Sequence, residues 1–248
     1  MTDKIVTAAV LVIGDEILSG RTKDRNIGYI AEYLANLGVD LREARVVPDV
    51  EEEIVAALDA LRARYDYVFA TGGIGPTHDD VTADAVAKAF GVAIEEDPRI
   101  LALMQERYKA GELTPARRRM ARIPAGAELV DSPISPPGFR IGNVIVMAGV
   151  PAVMQAMLDS AAKTIEAGTK LVAETIDASG VAEGRYADPL RQIAAAHRET
   201  IIGSYPSFAD GAFKNQIVVR ARGPEKAAAA RRAIEAMLAR MRGADGPL

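Results

Sequence analysis

Residues 70–80 read ATGGIGPTHDD, with Gly72, Gly73 and Gly75 ahead of Asp79 and Asp80. Glycines at this spacing let the backbone take angles closed to other residues and leave no side chain in a ligand's way. Successive N–H groups can then converge on one anion. A helix expected from Val81 would aim its positive end at the same place, and Thr71 and Thr77 offer hydroxyl donors. The stretch is not a Walker loop, which needs a lysine, and it lacks the dinucleotide GxGxxG pattern. The plainer alternative is a tight strand-to-helix turn.

The aspartates repel a phosphate unless a cation stands between. Mg²⁺ is commonly held by one or two carboxylates plus substrate phosphates, so Mg²⁺ or another divalent cation on Asp49 and Asp80 resolves the conflict. These two are the candidate catalytic and metal-binding pair. The competing roles are a helix cap for Asp80 and a solvated turn after Pro48 for Asp49. Asp79 reads as a bystander. His78 fits a solvated loop position better than a phosphate contact or a base. Glu16, in GDEILSG (14–20), can accept hydrogen bonds from amino groups of a heterocycle, or cap the first loop.

The elements that must position these residues follow from hydrophobic periodicity. IVTAAVLVI (5–13) is continuously apolar, as a buried parallel strand is. NIGYIAEYLANLG (26–38) has helical spacing, with Asn26 as a possible cap and Gly38 as terminator. Strands at 39–47 and 67–70, and helices at 50–65 and 81–90, continue a β-α-β-α-β-α order. That order predicts a doubly wound, mostly parallel α/β sheet with helices on both faces. Ligands in such sheets sit outside the carboxyl ends of the strands, where GDEILSG, Pro48-Asp49 and TGGIGPTHDD all fall. Helices are expected over 98–111, 115–123 and 151–167, and a hairpin turning at Gly142-Asn143 over 139–149. The run RRR (117–119) reads as a solvated helix face, with steering of an anionic substrate as the alternative. Near Gly168 the pattern changes to β-α-β-β-α, a small C-terminal α+β domain. The expected division is 1–167 and 168–248, with the tail GADGPL frayed.

Composition narrows the partners. A formal charge of −4 and 5% aromatic residues argue against a nucleic-acid binder. The apolar start is too short to span a membrane and lacks a signal-peptide pattern, so a cytoplasmic protein with no membrane partner is expected. There is no cysteine, hence no disulfide or thiolate metal site, and two histidines cannot form a histidine-rich zinc centre.

Taken together, GDEILSG…DRN, VVPD and TGGIGPTHDDVTADA resemble the molybdopterin-binding, molybdenum-cofactor-biosynthesis-like family. Within it they are most similar to the N-terminal part of competence/damage-inducible protein A, and also to a domain attached to some FAD synthases. The likeness covers about residues 5–165, and GVAEG (180–184) and IGSYPSF (202–208) extend it weakly. The resemblance implies a pterin- or nucleotide-binding pocket in which Asp49 and Asp80 match the family's functional aspartates. The candidate substrate- and phosphate-binding set is Gly14, Asp15, Glu16, Asn26, Thr71, Gly72, Gly73, Gly75, Pro76 and Thr77. Relatives use Mg-ATP to adenylylate molybdopterin, or cleave pyrophosphate bonds in ADP-ribose-like or FAD-like nucleotides with a divalent metal. The resemblance therefore implies pyrophosphate-bond hydrolysis, with adenylyl transfer or a non-catalytic binding module as alternatives, molybdopterin as a possible ligand, and a homo-oligomer, dimer or trimer. Three positions depart from the family pattern: Arg25 before Asn26, Ala148 opening Ala148-Gly149-Val150-Pro151, and Asp131-Ser132 after GAELV. All three are expected to border the pocket.

Overall fold

The apolar run becomes β1 (Val6–Ile13), and its alternation is complete. Ala9, Leu11 and Ile13 enter one core, while Ala8, Val10 and Val12 enter another on the opposite face. Two-sided burial of this kind is what a central parallel strand requires. The computed structural model describes residues 3–109, 111–209 and 212–244.

After β1 the chain makes one short turn, α1 (Asp15–Leu18), then α2 (Asn26–Asn36), β2 (Val39–Val47), α3 (Glu51–Arg62), β3 (Tyr67–Thr71) and α4 (Thr82–Phe90). β1 pairs in parallel with β2 on one side and β3 on the other. Parallel neighbours need crossovers. α2 supplies one on the face of Ile30 and Leu34, and α3 the other with Ile54, Leu58 and Leu61. Next come β4 (Ile94–Glu96), α5 (Pro98–Arg107), α6 (Pro115–Arg118) and β5 (Arg122–Pro124), with β5 antiparallel to β4. β6 (Glu128–Val130), β7 (Gly138–Ile141), β8 (Val144–Met147) and α7 (Pro151–Ala161) complete this unit. The sheet order is β2-β1-β3-β8-β7-β6, in which β7 alone runs against the others, antiparallel to both β8 and β6. The doubly wound, mostly parallel sheet expected from the sequence is thus the one that forms.

The expected hairpin turns at Gly142, whose φ is 55°. Asn143 Nδ2 fastens that turn to the carbonyls of Arg62 and Tyr65, at 2.9 Å each. Several helices stop short of expectation. α5 ends at Arg107 because Tyr108 swings extended and its ring takes the Arg117 guanidinium, 4.6 Å from the centroid. The helix expected over 115–123 is one turn plus a 3₁₀ turn, Arg119–Ala121. Ile123 then enters the core as a strand residue. α7 gives way at Ala161, where the Thr164 hydroxyl donates to its carbonyl, a local bond that competes with helix continuation.

The chain from Thr169, with Asp3, forms a second compact unit beside Lys4–Gly168 in sequence. It contains β9 (Val172–Asp177), α8 (Glu183–Ala196), β10 (Thr200–Tyr205), β11 (Phe208–Ala209), β12 (Ala212–Phe213), β13 (Gln216–Ala221) and α9 (Pro224–Ala244). Its three-stranded sheet, β10-β13-β9, is antiparallel. Tyr186 of α8 and Ala227, Ala230, Ile234 and Leu238 of α9 share its core. The alanines of α9 serve close packing. The two expected strands form as β10 and β13, and a short separate ladder, β11 with β12, is added between them. Most of the tail expected to fray, 245–248, lies outside the described residues. No described helix is long and apolar enough to cross a membrane.

Candidate functional site

β1 leads to β2 on one side of the sheet, while β3 leads onward to the other side. Loops leaving β1 and β3 therefore diverge and open a crevice at the carboxyl edge, the topological switch point where such folds bind ligands. The loop after β3 is the glycine stretch. Gly72 has φ 102° and Gly73 φ 65°, the left-handed region that side chains resist. A Cβ on Gly72 would lie 2.1 Å from the Ile13 carbonyl oxygen, and one on Gly73 2.1 Å from Thr82 Oγ1. Gly72 N–H completes the sheet by donating to Met147 O at 3.1 Å. Thr82, fully buried at the start of α4, donates through Oγ1 to Gly72 O and through N–H to Gly73 O. The N–H groups of Gly73, Ile74 and Gly75 find no acceptor among the described residues. Unpaired main-chain donors seldom persist in half-buried positions, so this short arc is a ready acceptor-binding surface.

Asp80 does not cap α4; Val81 holds the cap position without a side-chain bond. Its carboxylate instead closes the loop on itself, accepting from Thr77 N at 2.8 Å and Thr77 Oγ1 at 2.5 Å. Thr77 is thereby spent on Asp80. Asn26 likewise does not cap α2. Asp24 performs that task through the N–H groups of Asn26 and Ile27. The buried Asn26 side chain reaches across the crevice and donates to Gly149 O at 2.9 Å.

Asp49 is half-buried, and Asp15 N–H donates to it at 2.9 Å. Burial pushes the Asp49 carboxyl above the ordinary aspartate range. The Asp15 N–H offsets part of that, and the negative charges of Glu16, Asp15 and Asp79 raise it further. The crevice is therefore short of positive charge around Asp49. No group of three or more His, Asp or Glu side chains among the described residues is placed to hold a metal alone. A cation on Asp49 and Asp80 would need ligand oxygens as well, which is the arrangement Mg²⁺ accepts.

A cavity of about 550 Å³ is lined by Glu16, Asp49, Gly72, Gly73, Gly75 and Asp80, six of the residues singled out from the sequence. A second hollow of about 440 Å³ shares Glu16 with it and contains Asn26 and Thr71, together with Arg21, Lys23 and Arg25. Pro76 and Thr77 are exposed and line neither. Gly14 and Asp15 support from behind: Gly14 N–H donates to Val47 O, and Asp15 N–H steadies Asp49. The His78 side chain is 99% exposed beside Asp79. Of the three departures from the family pattern, Arg25 and Ala148 border the hollows. Asp131 and Ser132 do not; Ser132 is buried beneath Arg107, which its carbonyl holds at 2.8 Å.

Sequence reasoning did not single out Asp84, Arg119 and Arg122 of the larger cavity, and Asp79, read as a bystander, lines it as well. Asp84 lies four residues past Asp80, in the first turn of α4. Arg119 ends the run 117–119, read as a solvated face with steering of an anionic substrate as the alternative, and Arg122 lies three residues beyond it.

Residues 9–167 match the probable molybdopterin binding domain family, and the chain belongs to it. Residues 170–242 match the middle domain of FAD synthase. The chain's relatives include CinA-like proteins. It is 41% identical over 195 residues to a CinA-like protein of Citrifermentans bemidjiense, across 73% of this chain and 46% of that one. The chain thus spans about half the length of that relative. It is 31% identical over 205 residues to the protein TV0584 of Thermoplasma volcanium, across 80% of each chain. The crystal structure of the protein CinA, of unknown function, from Thermoplasma acidophilum is similar at TM-score 0.61 and 35% identity, over 64% of this chain and 98% of that one.

Proposed function

We propose that the crevice binds a nucleotide or pterin phosphate and that the protein hydrolyses a pyrophosphate bond in an ADP-ribose- or FAD-like substrate. One observation carries this reading: unpaired N–H groups of Gly73, Ile74 and Gly75 share a cavity with carboxylates that a phosphate tolerates only through a cation. The glycine N–H groups bind phosphate oxygens. Asp49 and Asp80 hold Mg²⁺ or a related divalent ion, which supplies charge neutralisation and Lewis acidity when bound. Glu16, at the seam of the two hollows, accepts hydrogen bonds from a heterocycle's amino group. Water adds to one phosphorus, the bridging P–O bond breaks, and two phosphomonoesters leave.

The test is a screen of nucleotide diphosphate esters with several divalent ions, read by product chromatography. Asp80→Asn and Asp49→Asn each lower turnover roughly 100-fold or more, the size lost with one preorganised electrostatic group, while both variants stay folded. Normal rates in both would remove these roles. An adenylylated pterin among the products would instead identify adenylyl transfer, and tight binding without product a non-catalytic module.

A further inference from the structure

Four arginines lie between residues 117 and 122, and three have settled partners. Arg117 donates to Glu112 O at 2.7 Å and lies over the Tyr108 ring. Arg118 pairs with Glu96 at 2.5 Å, and Arg122 with Asp84 at 2.6 Å. Arg119 differs. Its Nη2 makes one contact, to Asp80 O at 3.5 Å, the outer limit of a hydrogen bond. Its Nε is buried with no partner. Among the described residues no carboxylate pairs with it.

A guanidinium carries five N–H donors, and burying part of that charge without an anion is costly. Such a group is explained by an anion that arrives from solution. Arg119 lines the same cavity as Gly73, Gly75, Asp49 and Asp80. The contacts are contiguous: Arg119 touches the Asp80 carbonyl, and a Cβ on Gly75 would lie 2.7 Å from Asp80 Oδ2. Asp84 lines the cavity too and would compete for Arg119, but Arg122 holds it. We propose that Arg119 is a substrate-binding residue, whose guanidinium takes the phosphate oxygens left free by the glycine N–H groups. The inference rests on the reading of this crevice as a phosphate site. It adds a fixed positive charge of the chain's own to a cavity otherwise rich in carboxylates. A planar fork also selects phosphate geometry more sharply than a point charge does.

The test is calorimetric titration of inorganic pyrophosphate with Mg²⁺ into the whole chain and three variants. Arg119→Gln binds about 10- to 100-fold more weakly, the range for a lost hydrogen bond to a charged group. Arg119→Lys, which keeps charge and loses the fork, falls between. Arg118→Gln binds as the parent does. Added salt weakens the parent more steeply than Arg119→Gln, as loss of one screened attraction requires. Circular dichroism checks folding. Should Arg119→Gln unfold, Arg119→Met keeps the packed stem and takes its place. Parental affinity in the Gln or Met variant overturns the assignment of Arg119 alone. Failure of the parent to bind pyrophosphate with any divalent ion overturns the phosphate site itself, and Arg119's role with it.

Discussion

Gly73→Ala and Gly91→Ala place the same methyl at the same left-handed φ, 65° at both, in opposite surroundings. At Gly91, the left-handed residue that ends α4, the added Cβ meets nothing within 4 Å. The cost there is the left-handed backbone alone, about 1–2 kcal/mol. At Gly73 the Cβ falls 2.1 Å from Thr82 Oγ1 and 3.2 Å from Thr82 Cβ, so the buried threonine must move. Its bond to Gly72 O, 2.9 Å, is then lost and a buried polar group goes unpaired. That adds about 1–3 kcal/mol, for a total of about 2–5 kcal/mol. Urea unfolding of the two variants in one buffer reads the difference, about 1–3 kcal/mol, which isolates the clash from the backbone term. Gly91→Ala also keeps parental affinity for a nucleotide diphosphate, whereas Gly73→Ala loses it. Equal destabilisation by the two substitutions would refute the tie between the glycine loop and α4.

Other outcomes follow from single contacts. Asn143→Ala removes both donors that fasten the β7–β8 turn to the end of α3; urea unfolding should show a loss of about 1–3 kcal/mol. Tyr186→Phe strips the hydroxyl that meets Ser204 Oγ at 3.0 Å inside the C-terminal unit; about 1 kcal/mol is expected, read in the same way. Asp97 caps α5 through the N–H groups of Arg99 and Ile100. The Arg99 side chain, more than these backbone bonds, holds its carboxyl below the ordinary aspartate range. A folded value lower than the unfolded one stabilises above about pH 4 and is lost as pH falls through the folded value. The stability gap between the parent and Asp97→Ala, about 1 kcal/mol near pH 7, should therefore shrink towards about pH 3; unfolding midpoints at the two pH values measure it.

The sheet was legible because β1 and β3 are apolar on both faces, and only a central parallel position buries such a run. The crevice was legible because GDEILSG, Pro48-Asp49 and the glycine loop each follow a strand, so topology alone gathers Glu16, Asp49 and Asp80. What the sequence hid was the use of individual side chains. Asp80 and Asn26 both stand next to helix starts and fit the cap position, yet one closes a loop through Thr77 and the other bridges to Gly149. Cap propensity is a local preference, and these bonds are decided by a competing donor, Thr77, in one case and a distant acceptor, Gly149 O, in the other. Arg119 was hidden for a related reason. Its contact, Asp80 O, lies 39 residues back in the chain, and an arginine run carries no mark of which member turns inward. The short ladder of β11 and β12 escaped because two-residue strands have no measurable period.

The most direct measurement is a crystal structure of the whole chain soaked with Mn²⁺ and a non-hydrolysable nucleotide diphosphate ester, with the metal located by anomalous scattering. The expected result is one anomalous peak in contact with Asp49, Asp80 and a phosphate oxygen, and a second phosphate oxygen within hydrogen-bond distance of the Gly73–Gly75 N–H groups. A diphosphate seated elsewhere, or bound in the crevice with no metal near either aspartate, would contradict the account.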